Sequence, residues 1–339
     1  MVAVQVLKNA ISKDRISSAI LLHGHYGVGK TSVARIISKS VNCRMRNSSS
    51  EPCNKCKNCD LIKKGIHPDI IEIDAASNTS VENIKQLVDN SRYLPTIAQY
   101  KIYIIDEVHM LSNSAFNALL KTLEEPLPHI KFILATTHKN KIPSTIISRC
   151  QHFHLTRLNS QDIISILTQV TTQENIVCES KALHLIAKNT KGSVRDAISI
   201  LEQTYLYNEI ITENNVYKIL GLNSEDNVDE LTHKILNNSE PKEVLSLFRE
   251  LIHSYDPVVI LEQVLDSLYK YISSNPQDSK TNHIHIIWNT ILHDLQLLKY
   301  APSIHNASEM IILKASLITS LPTPENIISD FYSSQKKNL

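Results

Sequence analysis

The stretch Gly24-His25-Tyr26-Gly27-Val28-Gly29-Lys30-Thr31 fits G-x-x-x-x-G-K-[ST] and so dictates the local fold around it. An apolar run of strand length, Ala19-Ile20-Leu21-Leu22, precedes it. Ser32 to Lys39 follows, with Val33, Ile36 and Ile37 at helical spacing. Strand, glycine loop and helix is the context in which this pattern cradles phosphate. The glycines let backbone N–H groups turn toward an anion, and the helix N-terminus adds partial positive charge. Three of the chain's six glycines sit here. Gly24, Gly27, Val28, Gly29, Lys30, Thr31 and Ser32 are therefore candidate nucleotide ligands. Lys30 would reach the β- and γ-phosphates, and Thr31 would place its hydroxyl on Mg²⁺.

The loop needs acidic partners, and a second apolar run supplies them. Lys101-Ile102-Tyr103-Ile104-Ile105-Asp106-Glu107 reads as a central parallel strand, buried on both faces and ending in two carboxylates. Asp106 is placed to hold the Mg²⁺ shell, and Glu107 to orient and polarise an attacking water. Lys131 to Thr137 is another buried strand. The Thr137 hydroxyl there either bonds a γ-phosphate or the attacking water, or caps the strand end. Asp69 to Asp74 and His152 to Leu155 alternate as further strands. Val81, Ile84, Leu87 and Val88, then Phe116, Leu119, Leu120 and Leu123, mark helices between them. Pro143 opens a short helical segment ending Ser148-Arg149-Cys150, where Arg149 reads by itself as a solvated surface residue. Alternating strands and helices over 15–156 predict an α/β domain with a mostly parallel sheet.

Cysteine spacing predicts a second feature inside that domain. Cys43, Cys53, Cys56 and Cys59 form C-x9-C-x2-C-x2-C, four of six cysteines within 17 positions. Two overlapping C-x2-C knuckles and a fourth thiol suit a closed tetrahedral Zn²⁺ site, which is structural because no ligand position stays open. Cys150 and Cys178 stand alone and read as small packed residues.

From Asn159 onward strand-like runs fade. Asn159 and Asp162 cap one helix, Ser180 starts another, and Gly192 breaks the chain. Ser193-Val194-Arg195-Asp196 then matches a capping pattern that puts Arg195 in a first helical turn. A cation there opposes the helix dipole, and an anionic partner such as a phosphate would offset the cost. The polar run Asn223 to Asn227 marks a further boundary, beyond which the expected helices are gathered around Val244 to Ile252, Asp256-Pro257, Ile284 to Leu298 and Met310 to Ile318. Ser273 to Thr281 is the expected loop, and Ser333 to Leu339 a frayed tail.

Charge and hydropathy bound the function. With 35 basic and 34 acidic side chains the net charge is +1, so any nucleic-acid contact comes from local patches. No apolar run approaches a membrane span, and the N-terminus lacks the basic-then-apolar order of a signal peptide. The expected location is cytoplasmic, with no membrane partner.

Assembled, these motifs resemble the bacterial DNA polymerase III gamma/tau subunits, the clamp-loader ATPases. The resemblance is carried by the phosphate loop, the four cysteines, Glu72-Ile73-Asp74-Ala75-Ala76-Ser77-Asn78, Tyr103 to Leu111, Ala115 to Pro126, and Ser148-Arg149-Cys150. It is strong across residues 5 to about 220 and vague beyond. It implies an AAA+ P-loop domain at 1–156 with a zinc module at 43–60, a three-helix lid at 157–221, and an all-α collar at 222–339 that assembles subunits in a ring. It puts Thr137 on the sensor 1 position and Arg195 on sensor 2. Arg149 becomes an arginine finger acting in trans on ATP held by a neighbouring subunit. The implied partners are delta, delta-prime, further gamma/tau copies, the sliding clamp and primer–template DNA, and the implied cofactors are ATP, Mg²⁺ and Zn²⁺. The polymerase's nucleotidyl-transfer site is not expected in this chain.

Family members usually carry an extra N-terminal stretch that helps enclose adenine, whereas this sequence starts inside the first helix. The first cysteine gap is nine residues where the family more often has eight. The length resembles the shorter gamma form. Two function classes follow: an ATPase motor that loads the clamp onto primed DNA, or a non-hydrolysing clamp-loader scaffold of the delta-prime kind. Intact Gly29-Lys30-Thr31 and Asp106-Glu107 favour the first. A DExH helicase reading of Asp106 to His109 lacks a second motor domain, and a zinc-dependent nucleic-acid binder fits poorly with neutral charge and a closed Cys₄ set.

Overall fold

The computed structural model describes residues 2–46, 50–77, 81–222, 225–274 and 281–318. They form two compact units, one from residues 1–175 and 183–201, the other from 176–182 and 202 onward. In chain order the elements are α1 (Val2–Ser12), β1 (Ala19–Gly24), α2 (Lys30–Asn42), α3 (Lys57–Lys63), β2 (Ile70–Asp74), α4 (Val81–Asn90), β3 (Lys101–Asp106), α5 (Asn113–Glu124), β4 (Ile130–Thr136), α6 (Ser144–Ile147), β5 (Gln151–Leu155), α7 (Ser160–Gln173), α8 (Ser180–Asn189), α9 (Val194–Tyr207), α10 (Glu213–Leu220), α11 (Glu225–Leu236), α12 (Pro241–Ile252), α13 (Pro257–Ser274), α14 (Thr281–Leu297) and α15 (Ile304–Ile318).

The first unit is built on a five-stranded sheet in the order β2-β3-β4-β1-β5, with every neighbouring pair parallel. Parallel strands need crossovers, and the helices between them cover both faces. Strand pleating therefore divides each apolar run between two cores. Ala19, Leu21, Tyr103, Ile105, Phe132 and Leu134 face the core capped by α4, α5 and α6. Ile20, Leu22, Ile102, Ile104, Ile133 and Ala135 face the one capped by α1 and α2. This is why these strands read as unbroken apolar runs and the edge strand β5 as an alternation.

A buried carboxylate sets the entry to β3. Asp69 is 1 % exposed and accepts backbone N–H bonds from Thr96 (2.7 Å), Ile97 (2.8 Å) and Ala98 (2.9 Å). Burial alone would push its carboxyl up, but the three amide donors outweigh that and hold it below the ordinary carboxylate value. A depressed value stabilises the fold above the unfolded-state pKa, about 3.9, and that stabilisation is lost as the pH falls through the folded value. Asp69→Asn is expected to cost about 2 kcal/mol at pH 7. In urea unfolding its deficit against wild type should shrink below about pH 4. A deficit that stays constant down to pH 3 would count against this account.

In the second unit α11 to α15 surround one apolar core containing Val228, Leu231, Val244, Phe248, Ile260, Val264, Ile287 and Ile312. Asp256 caps α13 by accepting from Val258 N–H at 2.7 Å, as the Asp-Pro pair predicts. Two expected boundaries shift. Helix α15 starts six residues before Met310, because Ser303 caps it by accepting from Asn306 N–H at 3.4 Å. Glu225 to Asn227, expected as linker, are already the first turn of α11. Asn78 to Ser80, most of the expected 273–281 loop and the tail from Ser333 lie outside the described residues. No described helix is long and apolar enough to cross a membrane.

Candidate active site

Strand order brings three chain segments to one edge of the sheet. β4 lies between β1 and β3, and all three end on the same side. The glycine loop leaves β1, Asp106 closes β3, and Thr136-Thr137 end β4. Gly29 adopts φ +91° in the left-handed region, which turns the loop sharply into α2. A Cβ on Gly27 would sit 1.9 Å from Ser193 Oγ, so only glycine lets the start of α9 close on the loop. Val194 and Arg195 donate N–H bonds to the Gly27 carbonyl at 3.1 and 3.4 Å.

Lys30 is 6 % exposed, and its Nζ donates to the carbonyls of Gly24 (3.2 Å) and His25 (3.0 Å). Burial draws the ammonium below its usual value, while Glu107 and Asp106 pull it back up. The Thr31 hydroxyl donates to Asp106 Oδ2. A hydroxyl and a carboxylate so joined are a matched pair of hard oxygen donors for Mg²⁺, so the residues present fit that ion. Glu107 takes the left-handed conformation, φ 45°. Its Oε2 accepts from Thr137 N–H at 3.2 Å and Thr137 Oγ1 at 2.9 Å, and lies 3.2 Å from His109 Nδ1. Burial holds the His109 imidazole below its ordinary value.

Lys30, Thr31, Asp106 and Glu107 border a cavity of about 570 Å³, a volume suited to a nucleotide. Of the residues singled out in the sequence, Gly27, Gly29, Lys30, Thr31, Ser32, Asp106, Glu107 and Arg195 line it, and Gly24, Val28 and Thr137 do not. Tyr26, Arg35 and Glu72 line it unforeseen. The Arg195 guanidinium lies 5.4 Å from the centre of the Tyr26 ring. Arg35 donates to both Glu72 oxygens, at 2.8 and 2.6 Å. Arg35 stands one helical turn beyond Thr31, the single local hint of its position.

Arg149 lies elsewhere. β5 runs parallel to β1, with Gln151 opposite Ile20 and Leu155 opposite Gly24. The start of β5 is therefore four strand residues, about 13 Å at ~3.3 Å per residue, from the level of Gly24, and Arg149 precedes that start by two residues at the end of the sheet opposite the loop. Its guanidinium donates to Glu124 Oε1 (2.5 Å) and the Thr145 carbonyl (2.6 Å). It is absent from the lining of its own chain's cavity.

Cys43, Cys53, Cys56 and Cys59 converge between α2 and α3, their four Sγ atoms within 4.8 Å of one another and none in a disulfide. A tetrahedral Zn–thiolate site with bonds of about 2.3 Å needs sulfurs about 3.8 Å apart, and Cys43 and Cys56 are at 4.0 Å. Amide N–H groups of Lys55 and Cys56 draw the Cys53 thiol down to about 6, while burial pushes the Cys43 and Cys59 thiols up, so the fit rests on the sulfur geometry. The donor set thus fits Zn²⁺. Cys150 is buried and Cys178 half-buried.

Residues 1–159 match the family described as "DNA polymerase III, delta subunit", and residues 162–207 match "DNA polymerase III clamp loader subunit, ATPase lid domain". The chain is 39% identical to the DNA polymerase III subunit gamma of Buchnera aphidicola subsp. Baizongia pistaciae, covering 94% of this chain and 92% of that protein. It is 36% identical to the subunit tau/gamma of Haemophilus influenzae over 96% of this chain and 50% of that one. Against the Escherichia coli subunit tau it is 50% identical over 56% of this chain and 30% of the relative. It thus spans half or less of the longer tau-type relatives.

Proposed function

The chain belongs to the DNA polymerase III gamma/tau family, and on that footing we propose that it is the ATP-hydrolysing subunit of a clamp loader, which places the sliding clamp on primed DNA during replication. The observation that carries the reading is the convergence of Lys30, the Thr31–Asp106 pair and the oriented Glu107 on one nucleotide-sized cavity.

The chemistry follows from these groups. Loop N–H groups and the α2 N-terminus bind the triphosphate, and Lys30 exchanges two loop carbonyls for phosphate oxygens. Mg²⁺, when held by Thr31 and Asp106, neutralises phosphate charge. Glu107 orients the attacking water and receives its proton. Arg195, at the cavity wall, pairs with phosphate on the sensor 2 position, and Thr137, on sensor 1, holds Glu107. Arg149 serves the neighbouring subunit's ATP, which makes hydrolysis conditional on assembly. Its place at the end of the sheet opposite the loop supports that reading.

The finer proposal has an AAA+ domain at 1–156, a lid at 157–221 and a collar at 222–339. A structural Zn²⁺ sits on Cys43, Cys53, Cys56 and Cys59. The partners are delta, delta-prime, further gamma/tau copies, the clamp and primer–template DNA, in the cytoplasm. Nucleotidyl transfer belongs to other subunits. The delta-subunit match over residues 1–159 is the observation that favours a non-hydrolysing, delta-prime-like scaffold instead. The complete phosphate loop and both carboxylates weigh against it.

The test is ATP turnover by a complex reconstituted from this chain, delta, delta-prime, clamp and primed DNA. Stimulated hydrolysis, with nucleotide bound by the isolated chain, is expected. Clamp loading by a complex in which this chain holds no nucleotide would establish the scaffold reading. Metal analysis of the same preparation should find one zinc per chain. Four freely reactive thiols with no metal would remove the zinc assignment.

A further inference from the structure

One ion pair at the cavity has no part in the chemistry described above. Arg35 Nε and Nη2 donate to Glu72 Oε2 and Oε1 at 2.8 and 2.6 Å, and both residues line the cavity that Thr31, Asp106 and Glu107 border. The pair is a fork of two charge-assisted bonds, a strong geometry for these groups. Its place follows from the fold. Arg35 is four residues after Thr31 on α2, so the two side chains share a helix face. Thr31 uses that face to reach Asp106. On the sheet, Glu72 lies opposite Ile104, two residues before Asp106. Side chains two apart on a strand share a face, so Glu72 and Asp106 both point to the side covered by α2. With ~3.3 Å per residue and ~4.8 Å between strands, their Cα atoms are about 8 Å apart. An arginine that reaches Glu72 therefore has Asp106 within its swing. The Glu72 bonds hold the guanidinium above its ordinary value against the effect of burial, and the charges of Glu72 and Asp106 add to the rise.

We propose that Glu72 is a positioning residue for the metal site: it holds Arg35 in a two-bond fork and so keeps that guanidinium off Asp106, leaving the Thr31–Asp106 pair open to Mg²⁺. The inference rests on the reading of Thr31 and Asp106 as the Mg²⁺ ligands. A guanidinium carries five donors and stays charged at any working pH. Released in this cavity, it turns to the next carboxylate within its reach. On Asp106 it occupies oxygens that the metal needs and repels the ion besides. Lys30 presents no such conflict, because its ammonium is taken up by the Gly24 and His25 carbonyls.

The experiment titrates Mg²⁺ into the isolated chain with a fluorescent ATP analogue and reads the Mg²⁺ concentration at half-maximal binding. Glu72→Gln is expected to raise that midpoint about three- to tenfold, through competition of one well-aligned guanidinium for the carboxylate. Adding Arg35→Gln to Glu72→Gln should bring it back to within about twofold of wild type. Both variants lack the ion pair, so a merely structural loss would appear in both alike, and that result would overturn the positioning role. An unchanged midpoint in Glu72→Gln would overturn it too. So would tighter nucleotide binding at every Mg²⁺ concentration, which would put the freed guanidinium on phosphate. Arg35→Gln alone should leave the midpoint at or below the wild-type value. A rise there would overturn the proposal even if Glu72→Gln does not fold. A wild-type chain that binds no nucleotide at any Mg²⁺ concentration would instead overturn the reading of the cavity as a nucleotide site.

Discussion

Lys30→Ala should abolish nucleotide binding by the isolated chain. The ammonium is buried, faces Asp106 and Glu107, and is the one lysine lining the cavity. Removing it subtracts a direct phosphate contact and also leaves two carboxylates unneutralised beside an incoming polyanion. Losing one partner of such a desolvated charge set costs about 2–5 kcal/mol. At 1.4 kcal/mol per decade that is roughly thirtyfold to several-thousandfold in affinity. Arg195 and Arg35 also line the cavity but do not substitute, since Arg35 is spent on Glu72 in a two-bond pair. Titration with a fluorescent ATP analogue checks this. An affinity within about threefold of wild type would mean that the loop does not hold the triphosphate as argued. Unchanged unfolding behaviour would show that the loss is local.

The second large effect separates binding from chemistry. Arg149→Ala is expected to leave ATP affinity unchanged and to reduce turnover in the assembled complex by about 10³–10⁵, the range for loss of an arginine finger. The two readouts divide because Arg149 precedes β5, whose start is already about 13 Å of strand from the level of its own phosphate loop. On the proposed function it serves the neighbouring subunit's site, and it does not line the cavity of its own chain. Its bonds to Glu124 and the Thr145 carbonyl are exposed, so they hold the guanidinium at the surface at little cost when a neighbour's phosphate competes. Slow hydrolysis by the isolated chain should be the same with and without Arg149. Full turnover in an Arg149→Ala complex would remove the trans role while leaving the nucleotide site intact.

Much of this was legible from contiguous residues. The glycine loop, its lysine and threonine, the paired acids after an apolar strand and the C-x2-C spacing each encode their chemistry within one turn or strand. The folded chain needs only to place that unit at a strand end. The caps at Asn159, Ser193 and Asp256 were equally readable, because a side-chain oxygen reaching an N–H two or three residues on is a local event. The early start of α15 at Ser303 escaped because its cap lies in a short polar stretch ahead of the apolar pattern.

Arg35 with Glu72, Tyr26 with Arg195, and His109 with Glu107 were decided by packing. In the first two pairs the partners lie on different elements that the strand order and the closing of α9 on Gly27 bring together. In the third they are close in sequence, but their meeting depends on a left-handed backbone at Glu107 and on a β4 terminus contributed from elsewhere. The sequence by itself determined the glycine loop with its lysine and threonine and the paired acids, since each is a short-range pattern of residue types. Only the tertiary structure decided that Thr137 bonds Glu107 Oε2 and that Arg149 stands apart from its own chain's cavity, because both depend on which strand ends share an end of the sheet.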